Sequence, residues 1–141
     1  MNAQEVKRVA IIGAGTMGHS IVQVFARAGI EVNLVDIKKN LLDHALQLVK
    51  GNLETLASLG RLKAGEIPGI LSRVQTTTDL AAAAKGVDFA LEAAVEIPEV
   101  KKNIFKEMER FCPPGAVLAS NTSGLAQLFS TISRTVNIMA F

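Results

Sequence analysis

Residues 11–20 read IIGAGTMGHS, with Gly13, Gly15 and Gly18 in the spacing G-x-G-x-x-G. The apolar run RVAII (8–12) precedes the glycines, and a helical pattern (16–28) follows them. A second apolar run, EVNLVD (31–36), ends on Asp36. Strand, glycine turn, helix and strand with a terminal carboxylate leave few options for the chain. Gly13 is expected to make the tight turn, Gly15 to let the backbone approach a pyrophosphate, and Gly18 to let the helix lie close to the strand. The first turn of the helix then offers N–H groups and the positive end of its dipole to phosphate. Asp36 stands where a carboxylate accepts hydrogen bonds from a ribose diol and repels a 2′-phosphate, so NAD is expected rather than NADP. The ligand-free alternative is a bare strand–turn–helix corner with Asp36 as a solvated strand end.

The rest of the chain keeps the same alternation. Residues 42–56 follow helical spacing through Leu42, Ala45, Leu46, Val49, Leu53 and Leu56. VQTTT (74–78), DFALEAA (88–94), AVLAS (116–120) and TVNIMAF (135–141) read as further strands. A short Ala-rich helix precedes the fourth strand. Pro98 opens a helix with Val100, Ile104, Met108 and Phe111 on one stripe, and LAQLFSTIS (125–133) forms another. Pro68-Gly69 interrupts helical spacing, so a turn and a short second helical piece are expected there. Strands and helices in alternation imply right-handed crossovers and a Rossmann-type doubly wound parallel sheet. Residues 1–141 form one dinucleotide-binding domain, with a helical insertion at about 37–73.

Composition narrows the partners. The 141 residues are 49% hydrophobic and 20% charged, with a formal net charge of +2. The bases are scattered and the only aromatics are six Phe, so no nucleic-acid stripe is present. No apolar run is long enough to span a bilayer, the N-terminus lacks a signal-peptide pattern, and Cys112 is alone. A cytoplasmic chain without membrane, metal or nucleic-acid partners is expected. It is also expected to associate with copies of itself through the exposed edge of its last strand.

Three blocks, VAIIGAGTMGHSIVQVFARAGIEVNLVD, TTDLAAAAKGVDFALEAAVEIPEVKKNIFKEME and AVLASNTSGL, resemble the 3-hydroxyacyl-CoA dehydrogenases. The resemblance implies reversible hydride transfer between NAD and the 3-hydroxyl of an acyl-CoA, in fatty-acid or butanoate metabolism. By that likeness Gly13, Gly15, Thr16, Met17, Gly18 and Asp36 hold the adenosine and pyrophosphate. Glu96 and Lys101 match a pair near the nicotinamide half. Ser123 matches the serine that touches both the nicotinamide side and the substrate oxygen, and Asn121 belongs to its loop. From the residues alone, Glu96 and Ser123 also read as helix-start residues and Lys101 as a solvated helix face. Residues 40–72 match a helical hairpin that contacts coenzyme A, and Lys50, Arg61 and Lys63 are its basic residues.

The resemblance also implies a general acid/base His at the end of the sixth strand. This chain has Ala140 there, between Met139 and Phe141. No counterpart of the family's helical second domain is expected within these residues. His19, in the first helical turn and expected at the surface, and His44, on a solvated helix face, do not replace the missing His. The chain is therefore expected to bind NAD without family-like turnover. A non-catalytic NAD-binding scaffold is the alternative. A 6-phosphogluconate-type dehydrogenase is a weaker one, because that group carries Arg just after the second strand, where this chain has Asp36-Ile37.

Overall fold

A computed structural model describes residues 2–121 and 136–138. Among them six strands form one parallel sheet: β1 Arg8–Ile12, β2 Glu31–Val35, β3 Val74–Thr77, β4 Phe89–Glu92, β5 Val117–Ser120 and β6 Val136–Ile138. The order across the sheet is β3-β2-β1-β4-β5-β6. The chain thus winds outward in one direction from β1, then returns to its other side at β4. That reversal opens a crevice at the carboxyl ends of β1 and β4, where open α/β sheets bind ligands. The helix expected at 125–133 lies outside the described residues, as does the last part of the strand expected at 135–141.

Among the described residues five α-helices cover the sheet: α1 Thr16–Arg27, α2 Lys39–Ser58, α3 Ile67–Ser72, α4 Leu80–Ala84 and α5 Pro98–Phe111. On one face Val22 and Ala26 of α1 meet Leu42, Val49 and Leu53 of α2 over Val9, Ile11 and Leu34. On the other, Phe105 and Met108 of α5 and Ala83 of α4 cover Ala10, Ala90 and Leu118. Both faces of β1 are buried, which is why its sequence runs apolar without alternation. No described helix is long and apolar enough to cross a membrane.

Three local expectations need correction. The short second helical piece expected in the insertion is present as α3, but Pro68 does not interrupt it: it lies in the first turn, where its missing N–H and fixed φ do no harm. Helix α1 ends at Arg27, one residue short of the expected 16–28, with exposed Ala28 as its C-cap and with Val22 and Ala26 on its buried face. In α5 the buried stripe is Lys101, Phe105 and Met108, one residue round from the expected one. Val100, Ile104 and Phe111 instead border the crevice.

Asp88 ties the start of β1 to β4. Its Oδ2 accepts the N–H groups of Lys7 at 2.9 Å and Arg8 at 3.0 Å. These two bonds hold its carboxyl below the usual aspartate range, with smaller help from the charges of Arg8 and Lys7. A lowered folded pKa means stability that is present above the ordinary carboxyl range and lost as pH falls through the lowered value. The urea midpoint of the parent chain is therefore expected to drop below about pH 4. Asp88→Ala should be less stable at neutral pH, with a shallower fall on the acid side. An unchanged acid limb in the variant would assign the loss to other groups.

Candidate cofactor site

The glycine turn runs from the end of β1 to the start of α1, and each glycine meets a different constraint. Gly13 has φ +116, and its N–H donates to Val35 O at 2.8 Å. A Cβ on it would lie 2.6 Å from Ala93 O. A Cβ on Gly18 would lie 1.9 Å from Gly13 O, so the third glycine protects the turn itself more than the helix–strand contact. Around Gly15 nothing lies within 4 Å of the built Cβ. This residue is the N-cap of α1 and places no side chain over the helix end. The first-turn N–H groups, which have no partners within the helix, thus face open space at a positive dipole end. Thr16 and Met17 are exposed beside it.

Asp36 follows β2 directly and ties two segments together. Its Oδ2 accepts Ala14 N–H at 2.9 Å and its Oδ1 accepts Lys38 N–H at 3.3 Å. The same carboxylate that would meet a ribose therefore also holds the glycine turn against β2. A crevice of about 690 Å³ joins Gly13, Gly15 and Asp36 to Leu80, Ala94 and Ile104. Ile37 is 86% exposed at its rim. A largely apolar slot with the Asp36 carboxylate beside a bare helix N-terminus suits an adenosine and a pyrophosphate.

The β4–α5 side is held differently from its sequence reading. Lys101 is not on a solvated face: it is 1% exposed, and Nζ lies 2.7 and 2.8 Å from the two carboxylate oxygens of Glu92. Glu92 is itself fully buried. Its Oε1 also accepts Ala94 N–H at 2.7 Å, and Oε2 accepts the Ser120 hydroxyl. Glu96 meets the same ammonium at 3.3 Å, but its side chain is 55% exposed. Glu92 and Ser120 were not among the expected site residues. The signal was present: a carboxylate closing an otherwise apolar strand must find a partner if that strand is buried.

Asn121 follows β5, and its N–H donates to Glu92 O at 2.8 Å. Ser123 and Ala140 lie outside the described residues. His19 is buried, 9% exposed, rather than on the surface, and does not line the crevice. Its Nδ1 is 3.1 Å from Gly15 O. A carbonyl only accepts, so Nδ1 carries the proton in that bond. His44 is exposed on α2. In the insertion Lys50, Arg61 and Lys63 are all exposed.

Sheet order, glycine turn and Asp36 together define a dinucleotide-binding domain. The comparisons carry this to a family. The model of the 3-hydroxyacyl-CoA dehydrogenase NAD-binding domain matches residues 8–140. The chain is 38% identical over 119 residues to a 3-hydroxybutyryl-CoA dehydrogenase of Clostridioides difficile, covering 84% of this chain and 42% of that protein. It is 41% identical over 122 residues to a peroxisomal bifunctional enzyme of Danio rerio, covering 86% and 16%. The crystal structure of 3-hydroxybutyryl-CoA dehydrogenase from Escherichia coli K12 superposes with a TM-score of 0.90 at 35% identity, over 97% of this chain and 30% of that one. The chain belongs to the NAD-binding domain family of the 3-hydroxyacyl-CoA dehydrogenases. It spans less than half the length of these relatives.

Proposed function

We propose that this chain is the NAD-holding part of a reversible hydride transfer at the 3-position of an acyl-CoA. It holds the cofactor, and Ala140 stands where the resemblance implies the acid/base His. The open space over Gly15, with Asp36 tied behind it, carries the cofactor half of the reading. The substrate half rests on what the relatives act on. NAD, when bound, supplies the hydride chemistry.

The chain's own groups have the remaining tasks. Asp36 would accept the ribose hydroxyls, and the first turn of α1 would neutralise phosphate charge. Glu96 and Lys101 border the nicotinamide half, with Asn121 just after β5 and Ser123 two residues further along the sequence. The Ser123 hydroxyl would donate to the substrate oxygen and stabilise charge that builds there. A ketone becoming an alcohol also needs a proton, and Ala140 has none to give. General acid catalysis of this kind contributes roughly 10²–10⁴-fold. The exposed Lys50, Arg61 and Lys63 suit the phosphates of coenzyme A.

The test is NADH consumption with acetoacetyl-CoA, run beside calorimetric titration of NADH. Binding without family-like turnover is expected, and rapid turnover would refute the missing-acid reading. NADH should bind more tightly than NADPH, because the Asp36 carboxylate repels a 2′-phosphate. Asp36→Ala should weaken NADH binding by about 1–3 kcal/mol. Equal affinities for the two cofactors in the parent chain would remove Asp36 from this role.

A further inference from the structure

Lys101 sits in the first turn of α5, against the positive end of that helix, and is almost fully buried. Burial and dipole both oppose an ammonium there. What holds it is Glu92, whose two carboxylate oxygens take Nζ at 2.7 and 2.8 Å. The register places Glu92 between Ile12 of β1 and Ser120 of β5, at the carboxyl edge of the sheet. From that point its side chain accepts from Ala94 N–H, Ser120 Oγ and Lys101, and its carbonyl accepts from Asn121 N–H. One buried carboxylate therefore anchors the exit of β4, the start of α5 and the exit of β5.

We infer that Glu92 is a positioning residue for the nicotinamide half of the cofactor: it fixes Lys101, and through Lys101 and the β5 exit it sets where Glu96 and Asn121 stand. The inference rests on the reading that Glu96, Lys101 and Asn121 border that half. With Glu92 compensating the ammonium, Glu96 is the member of the cluster that stands at the surface. Its side chain is half exposed, and its bond to Nζ is the longer one, at 3.3 Å. The adenosine half is held by Asp36 and the glycine turn, which make no bond to Glu92; only Ala94, at the rim of that crevice, touches both.

That separation makes a test possible. The full chain and Glu92→Gln are titrated calorimetrically with NADH and with ADP-ribose, which keeps the adenosine and pyrophosphate but lacks the nicotinamide. Glu92→Gln should weaken NADH about tenfold or more, as expected for a disrupted hydrogen bond to a charged group. ADP-ribose should lose clearly less affinity than NADH, since Asp36 and the glycine turn make no bond to Glu92. The fluorescence of bound NADH at saturation should also fall, because the ring is held less firmly. If both ligands weaken equally, or neither does, Glu92 has no positioning role. If the parent chain binds NADH no better than ADP-ribose, the nicotinamide-side reading itself fails, and the inference with it. Should Glu92→Gln not fold, Ser120→Ala removes one donor to Glu92 and leaves the ion pair. A selective loss of NADH affinity in Ser120→Ala supports the role, and unchanged NADH affinity overturns it.

Discussion

Gly15→Val is expected to abolish NADH binding while leaving the fold intact. A Cβ at this position meets nothing within 4 Å, so the variant has room in the protein itself. The backbone at Gly15 has φ −75, an extended conformation that valine adopts readily. The isopropyl group would fill the space over the helix N-terminus, where the pyrophosphate must approach. The circular dichroism spectrum and urea midpoint should stay near those of the parent, and NADH fluorescence enhancement should disappear. Retained affinity would mean that the turn holds no phosphate. Gly18 gives the opposite pattern: a Cβ there would lie 1.9 Å from Gly13 O, so Gly18→Val should lose the fold together with the binding.

Lys101→Met should destabilise the chain by about 3–5 kcal/mol, the usual result of leaving one member of a buried ion pair without its partner. Glu92 would be left at zero exposure with only Ala94 N–H and the Ser120 hydroxyl as side-chain partners. The double variant Glu92→Gln/Lys101→Met removes both charges and retains an acceptor for Ala94. It should recover roughly half of the loss, since residues in contact are not additive. Denaturant unfolding of the two single variants and the double variant gives the coupling. Additive losses would show that the pair contributes nothing jointly. A Lys101 on a solvated helix face, as the residue reads in isolation, would predict almost no effect.

The difference between those two pictures of Lys101 is a rotation of α5. Val100, Ile104, Met108 and Phe111 make an apolar stripe at good helical spacing, and a lysine next to it looks like a polar flank. The sheet takes Lys101, Phe105 and Met108 instead, because Glu92 lies beneath and can satisfy the ammonium. The displaced apolar residues wall the crevice, where a ligand is expected to cover them. Pro68, inside the expected short helix rather than at its break, and His19, buried rather than at the surface, differ from their sequence reading for related reasons. The proline's effect depended on which turn of the helix it entered. The imidazole's exposure depended on how α1 packs, which places Nδ1 beside Gly15 O. The glycine turn and Asp36, by contrast, were legible at once, although the bond from Ala14 N–H to Asp36 was not.

Sequence alone determined the strand–turn–helix rhythm, the parallel doubly wound class and the three glycines with their acid. These follow from local rules: hydrophobic period, the backbone freedom of glycine, and fixed spacing along a single chain. The tertiary structure decided which carboxylate neutralises Lys101, which face of α5 is core, and how β4 and β5 share an anchor in Glu92. Those outcomes depend on side chains 9 and 28 residues apart in sequence meeting where water is excluded. There an unpaired charge is too unfavourable to persist, and only the packed sheet brings its partner within reach.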